Sequence, residues 1–332
     1  MKNKVIEKND IKESPLFWPA QLDGKTLLVL DETLIPKKLS YIKVRSTTEA
    51  VEVIREMKTR AFGQLLVVLS TFLLELNLHD QASSSSLLQQ LQKTAKALNE
   101  SRPTFPFSEV TGMVMHWAQS AVSQNQDIKS LLERNIQGYL AGIRARRLDR
   151  VRRIADLIQH GDSILTHCNV SGELAMAAYL CQRNKKNVHF YATETRPYFQ
   201  GAKLTCWELQ LMGAEVTLVA DNAIGALLAD GLVDKVIVGS DRNCANGDFA
   251  NKIGTYQIAV LADEFKVPFF VLTQPSTKVK SGQDIPIEFR DEKEILNFSG
   301  QAIFPNRVQA LYPGFDVIPY QLITEPIAIN VN

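Results

Sequence analysis

The sequence has little that would tie it to a charged polymer or a bilayer. Its 37 Lys and Arg residues face 36 Asp and Glu, a net charge of +1. No global basic field exists to hold nucleic acid or a membrane surface non-specifically. Apolar runs are short. The longest, Gln64 to Leu76, is interrupted by Ser70, Thr71 and Glu75, and a membrane-crossing helix needs roughly 18 apolar residues. Neither a nucleic-acid nor a membrane partner is expected. The start, MKNKVIEKND, carries charge but no apolar stretch, so no secretory signal is expected. Cysteine is scarce: Cys168, Cys181, Cys206 and Cys244 are scattered without CxxC spacing. That pattern excludes a zinc ribbon or a disulfide framework and points to reduced thiols in a cytoplasmic setting. No ligand cluster has zinc-like spacing, so no metal is expected. No P-loop, HExxH, GxSxG or kinase signature occurs, and Gly239 and Gly247 do not make a GxGxxG. Neither a dinucleotide nor another cofactor is expected.

What is present is an ordinary globular composition, 45% hydrophobic and 22% charged over 332 residues, enough for about two domains. Lys25 to Asp31 and Tyr41 to Val44 read as short strands around an Asp23-Gly24 turn. Thr47 or Thr48 can cap a helix running through Lys58. Gln64 to Leu76 is apolar on all sides, as a buried helix would be. Ser83 to Ser86 reads as a loop capping the next helix, and helical patterns continue through Ser108–Ser123 and Asp127–His160. The last of these carries Arg144, Arg146, Arg147, Arg150, Arg152 and Arg153. They read as a solvated or inter-helix charged face rather than an anion site.

After Gly161 the pattern changes. Short apolar runs at 163–167, 188–193, 215–220, 235–240 and 268–273 alternate with helical stretches at 172–182, 201–212, 223–230 and 251–265. Such alternation predicts βαβ units around a parallel sheet. The fold class expected is α/β, with a Rossmann-like parallel-sheet domain over 156–332 and a mostly helical domain carrying a few short strands over 1–155.

In an open parallel sheet, ligands bind outside the carboxyl ends of the strands. The residues that follow each apolar run here are polar: His167, Cys168, Asn169 and Ser171; Glu194, Thr195, Arg196 and Gln200; Asp221 and Asn222; Asp241, Arg242, Asn246, Asp248, Asn251 and Lys252; Thr273, Gln274, Ser276 and Thr277. Together they describe a site for a small polar anion. Cys168 lies after a strand, beside a histidine and before a helix start, which favours reactivity over a structural role; the other three cysteines read as fillers. Asp241 fits equally a turn former and a general acid or base. Arg196 could clamp phosphate or pair with Glu194. Lys252 reads as opening a helix, where free N–H groups favour phosphate. Asn246-Gly247 reads as a turn of no wider importance.

The tracts GDSILTHCN, ATETRPYFQGAKLTCWEL, VTLVADNAIG, KVIVGSDRNCANGDFANKIGTY, SGQDIPIEFRD and PGFDVIPYQLIT resemble the methylthioribose-1-phosphate isomerase family. That family lies within a larger group containing ribose-1,5-bisphosphate isomerases and the alpha, beta and delta regulatory subunits of translation initiation factor 2B. The resemblance runs from Leu30 to Thr324 and is dense over 161–292. It implies an aldose–ketose isomerase acting on a small-molecule pentose 1-phosphate, and a homodimer. It implies Cys168 and Asp241 as the catalytic pair, with Asp241 protonating the ring oxygen. Cys168 would act as a base at C2 or assist a hydride shift at the C2 hydroxyl. Arg60, Arg102, Gln210, Asn251 and Lys252 match substrate-binding positions.

Three departures from the family pattern stand out. An Arg-Gly-Ala-Pro tract appears here as Arg60-Ala61-Phe62-Gly63. The Cys168-Asn169-Val170-Ser171-Gly172 loop is one residue longer than is usual, and Glu173 adds a charge expected to oppose a thiolate. The Arg-rich helix is the third, and either it or Lys203 is a candidate cationic cluster for a 5-phosphate. Two alternatives therefore stand beside the isomerase of a 5-substituted ribose 1-phosphate: a ribose-1,5-bisphosphate isomerase, and a non-catalytic sugar-phosphate or nucleotide-binding regulatory subunit.

Overall fold

In a computed structural model of the chain, the described residues are 11–103, 105–274, 278–298, 300–302 and 308–328. Ser276, Thr277 and the MKNKVIEKND start lie outside them. The chain divides into two compact units. One is Pro15–Ala145; the other is Arg146–Asn332 with the residues before Pro15. The division falls inside a helix, whereas the boundary read from the sequence lies after residue 155.

The first unit opens with an antiparallel sheet, β1 (Ala20–Asp23), β2 (Thr26–Leu30) and β3 (Tyr41–Val44), in that order. Helix α1 (Thr47–Arg55) is capped by Ser46, whose Oγ accepts the Glu49 N–H at 3.2 Å, and not by Thr47 or Thr48. Ser46 still has extended backbone while Thr47 is already helical, so only Ser46 can bridge the first turn. Helix α2 (Ala61–Leu78) is longer than its apolar run and is long and apolar enough to cross a membrane by length and composition. Its Leu66, Val67, Val68, Leu69, Phe72, Leu74 and Leu76 instead form the centre of the unit's core, against Leu27, Val29, Ile54, Leu91 and Val114. Each such buried side chain contributes roughly 1.5–3 kcal/mol. Helix α3 (Ser84–Ser101) starts within the serine run, capped by Ser83. Helices α4 (Phe107–Ser123) and α5 (Ile128–Leu157) follow.

The second unit holds a six-stranded parallel sheet. Its strands are β4 (Ser163–Thr166), β5 (His189–Thr193), β6 (Glu215–Val219), β7 (Lys235–Val238), β10 (Phe269–Thr273) and β14 (Glu325–Ala328). Their order is β14-β10-β7-β4-β5-β6, all parallel. Helices α6 (Glu173–Arg183) and α7 (Cys206–Leu211) form one packed pair, α8 (Ile224–Ala229) and α9 (Thr255–Glu264) another. With right-handed crossovers the two pairs cover opposite faces. The chain first builds outward from β4 to β5 and β6, then returns to lay β7 on the other side of β4. The order therefore reverses between β4 and β7, which is where such sheets leave a crevice.

The segment after β7 departs from the helix read there. Asn251 and Lys252 are not at a helix start. They end β9 (Phe249–Lys252), which pairs antiparallel with β8 (Arg242–Asn243) and with β13 (Phe315–Ile318). Asn246-Gly247 is the turn of this β8–β9 hairpin, with Gly247 at φ +93°, a conformation that favours glycine. The hairpin thus matters to the site, because it carries Asn251 and Lys252 back beside Asp241. A short helix α10 (Lys293–Leu296) and the hairpin β11 (Asn297–Phe298) and β12 (Gln301–Ala302) precede β13.

Candidate active site

Strand β4 ends in Thr166, and the chain turns at His167 and Cys168. Cys168 and Ser171 have φ of +63° and +52°, left-handed values that cost a non-glycine residue about 1–3 kcal/mol. The loop is held in that shape at many points. Cys168 N–H donates to Thr195 Oγ1 at 3.0 Å, and Thr205 Oγ1 donates to the Cys168 carbonyl at 2.5 Å. Asn169 Oδ1 accepts the Ser171 N–H at 2.8 Å, while its Nδ2 donates to Thr205 Oγ1 and to Glu208 Oε1. Ser14 Oγ donates to the other Glu208 oxygen at 2.9 Å.

His167 is buried. Its Nε2 meets the Ile253 carbonyl at 2.9 Å and its Nδ1 meets Thr193 Oγ1 at 2.6 Å. A carbonyl can only accept, so Nε2 carries the proton and Nδ1 accepts from the threonine. Burial lowers the His167 pKa and keeps it neutral. A Cβ on Gly254 would sit 3.1 Å from the ring, so glycine there lets the ring in. His167 is a brace that ties the β4 end to the β9 end.

Asp241 follows β7, the neighbour of β4 at the reversal point. Its N–H donates to the Ala250 carbonyl at 2.8 Å, which fastens it to the hairpin. The two loops touch: a Cβ on Gly239 would lie 3.2 Å from Val170 Cγ1. Cys168 and Asp241, both half-buried, therefore leave the carboxyl ends of adjacent strands. Asn251 and Lys252 are buried at the end of β9. Asn251 Nδ2 donates to Thr255 Oγ1 at 3.0 Å, and Lys252 Nζ lies 4.8 Å from the Phe315 ring centroid.

Glu173 does not act as a free negative charge beside Cys168. It is 2% exposed and receives both Arg147 Nε at 2.7 Å and Arg150 Nε at 2.6 Å. Burial alone would raise its pKa, but the charges of Arg150 and Arg147 outweigh burial and hold the carboxyl below its ordinary value. Arg147 also donates to the Ser171 carbonyl and Arg150 to the Thr273 carbonyl, each at 2.7 Å. The Glu208 carboxylate, which holds Asn169 of the same loop and also acts on Arg147, offsets the second guanidinium. These two arginines are thus interior side chains that pair α5 with α6, the inter-helix half of the reading made for this helix and not its solvated half.

Other rim residues sort by their contacts. Asp221 accepts the N–H groups of Thr195 and Arg196, each at 2.7 Å, and so shapes the loop after β5. The Arg196 guanidinium stacks on Phe199 and Phe298, at 5.2 and 5.6 Å from the ring centroids. Gln210 is not with this group. It is exposed near the end of α7, and its carbonyl accepts the Gly213 N–H in the turn into β6. A helix that leads from a strand's carboxyl end to the next strand's amino end puts its last turn at the far edge of the sheet. The glutamine at the rim is Gln200, 4% exposed, with Oε1 unpartnered among the described residues. Thr166, Asn243 and Tyr312 likewise hold buried oxygens without a partner among those residues. Buried polar atoms are ordinarily paired, and these four lie on segments that meet around Cys168 and Asp241. Burial pushes the thiols of Cys181 and Cys206 up to about 11 and raises that of Cys244, so these three stay protonated at neutral pH.

Arg60 and Arg102 belong to the other unit. Arg60 is the N-cap of α2, and its N–H donates to the buried Glu32 carboxylate at 3.2 Å. Arg102 follows α3, donates to Gln64 Oε1 at 3.0 Å and stacks 4.9 Å from Phe105. Gln64 in turn donates to the Thr59 carbonyl at 3.0 Å. One buried amide thus links Arg102 to Thr59, the residue before Arg60, at the start of an 18-residue helix, a suitable setting for an anion. Gly63 is required there, since a Cβ would fall 1.8 Å from Thr59 Oγ1.

Residues 63–328 match the model of the Initiation factor 2 subunit family. A methylthioribose-1-phosphate isomerase from Desulforudis audaxviator is 37% identical, covering 93% of this chain and 91% of that protein. A 5-deoxyribose 1-phosphate isomerase from Moorella thermoacetica is 36% identical, covering 94% and 91%. Among solved structures, 5-methylthioribose 1-phosphate isomerase from Pyrococcus horikoshii OT3 superposes with a TM-score of 0.82 at 30% identity, covering 93% and 90%. A translation initiation factor eIF-2B delta subunit from A. fulgidus does so with 0.80 at 30% identity, covering 94% of each chain.

Proposed function

The chain belongs to the Initiation factor 2 subunit family, and from that premise we propose that it is an aldose–ketose isomerase converting a 5-substituted ribose 1-phosphate to the ribulose 1-phosphate. The relatives named for methylthioribose 1-phosphate and 5-deoxyribose 1-phosphate support this reading. The observation that carries it is that Cys168 and Asp241 lie just beyond the carboxyl ends of the adjacent parallel strands β4 and β7, at the point where the strand order reverses.

The chemistry moves one hydrogen from C2 to C1 and one proton from the C2 hydroxyl to the ring oxygen. Asp241, as an acid, protonates the ring oxygen while its bond to C1 breaks. Cys168 takes the proton that the sugar loses, from C2 in an enolisation or from the C2 hydroxyl in a hydride shift. The buried cation Lys252, at the end of β9 beside the Asp241 segment, favours a bound anion. The unpartnered oxygens of Gln200 and Asn243 suit the sugar hydroxyls.

The bisphosphate alternative needs a second cationic cluster. Arg147 and Arg150 are committed to Glu173, and Lys203 lies 5.7 Å from the Phe199 ring. An NMR time course with 5-methylthioribose 1-phosphate, 5-deoxyribose 1-phosphate and ribose 1,5-bisphosphate tests the proposal. Ketose should form from one or both of the first two. Ketose from the bisphosphate alone would select that alternative, and none from any substrate would leave a regulatory binding role.

A further inference from the structure

We infer that the Tyr312 hydroxyl contacts the substrate, donating a hydrogen bond to an oxygen of the sugar phosphate bound at Cys168. The inference rests on the isomerase reading above.

Tyr312 lies far from Cys168 in the chain, but a short relay joins them. The Ile253 N–H donates to the Gly314 carbonyl at 3.2 Å, and the Ile253 carbonyl receives His167 Nε2, one residue before Cys168. Tyr312 stands two residues before Gly314. Its own carbonyl accepts the Arg290 N–H at 2.9 Å, and Phe289 bridges Pro313. The Tyr198 ring packs at 6.5 Å between centroids. Tyr198 comes from the loop after β5, whose Thr195 receives the Cys168 N–H.

The phenol is therefore held on both sides, and it is 3% exposed. Its hydroxyl has no partner among the described residues. Tyr198 differs in this respect, because its hydroxyl already accepts from Arg290 Nη2 at 2.5 Å. Burial first, then Tyr198, Glu294 and Cys168, raise the Tyr312 pKa. The hydroxyl keeps its proton at neutral pH and remains a donor. A buried donor without an acceptor costs free energy in the unliganded protein. A sugar oxygen arriving at Cys168 would recover it, and this makes the residue a determinant of substrate affinity.

The test is Y312F, which removes one atom and preserves the ring packing. The unliganded variant should melt at or above the wild-type temperature, since no bond is lost. Its kcat/KM for 5-methylthioribose 1-phosphate should fall about ten-fold or more. The rise in melting temperature that this compound produces should shrink in parallel. A kcat/KM within about two-fold of wild type, with an equal ligand-induced rise, would overturn the inference. So would a variant that melts lower or does not fold without ligand, because the hydroxyl would then be serving the free structure. If the wild type makes ketose and Y312F matches it, only this inference fails. If the wild type neither turns over nor binds the pentose 1-phosphate, the isomerase reading fails and takes the inference with it.

Discussion

The imidazole of His167 is held in one tautomer by a carbonyl on one side and a threonine hydroxyl on the other, and burial disfavours its protonated form. Its pKa is lowered from an ordinary 6.5. Above that pH it is neutral in both the folded and the unfolded chain and contributes no pH dependence. Below it, the unfolded chain takes up a proton that the folded site refuses. Stability should therefore fall with falling pH from 6.5 downward until the folded-state value is reached, by at most about 1.4 kcal/mol per pH unit from this group. Urea unfolding at several pH values checks the sign, and a flat or rising profile below 6.5 would count against the brace. Residue identity in the sequence singles out Cys168 as a thiol just after an apolar strand, but leaves Asp241 balanced between a turn former and an acid or base until the resemblance is added. It said little about Glu173, whose sign of effect depends on Arg147 and Arg150, more than twenty residues away in the chain. Nor could it separate Gln200 from Gln210, two glutamines on one segment, without knowing where the helix turns back toward the amino edge of the sheet.

At the scale of elements, α5, the start of α6 and the end of β10 are pinned together by one carboxylate between two guanidiniums. Removing that charge leaves two buried cations with a neutral acceptor. E173Q should lose about 3–5 kcal/mol of stability, measured by denaturant unfolding. A loss under about 1 kcal/mol would show that the cluster is better solvated than its burial suggests. Strands β4, β5, β7 and β10 are readable because a buried parallel strand is a continuous apolar run, and β6, an exposed edge strand, is readable from its β-branched residues Val216, Thr217 and Val219. The β8–β9 hairpin was not. Its residues NCANGDFANK are polar, and the apolar pattern of α9 runs on behind them, so Asn251 and Lys252 read as the first turn of a helix. Strand β14 is not legible because its residues, Glu325-Pro326-Ile327-Ala328, carry a charge and a proline, and its pairing with β10 is set by the tertiary fold.

Across the whole molecule, the strand order does what no motif does alone. It brings residues from positions 168 and 241 to neighbouring strand ends, and the hairpin, the His167 brace and the arginine pair hold the loops that carry them. The relatives named as isomerases say which chemistry such a site supports, and the sheet explains why these two side chains come from neighbouring strand ends. The most direct measurement is turnover of 5-methylthioribose 1-phosphate by wild type, C168A and D241N, with melting temperatures recorded for all three. The account predicts ketose from the wild type and a loss of about a thousand-fold or more in each variant, with melting temperatures close to wild type. Near-native turnover by a folded C168A or D241N would contradict it.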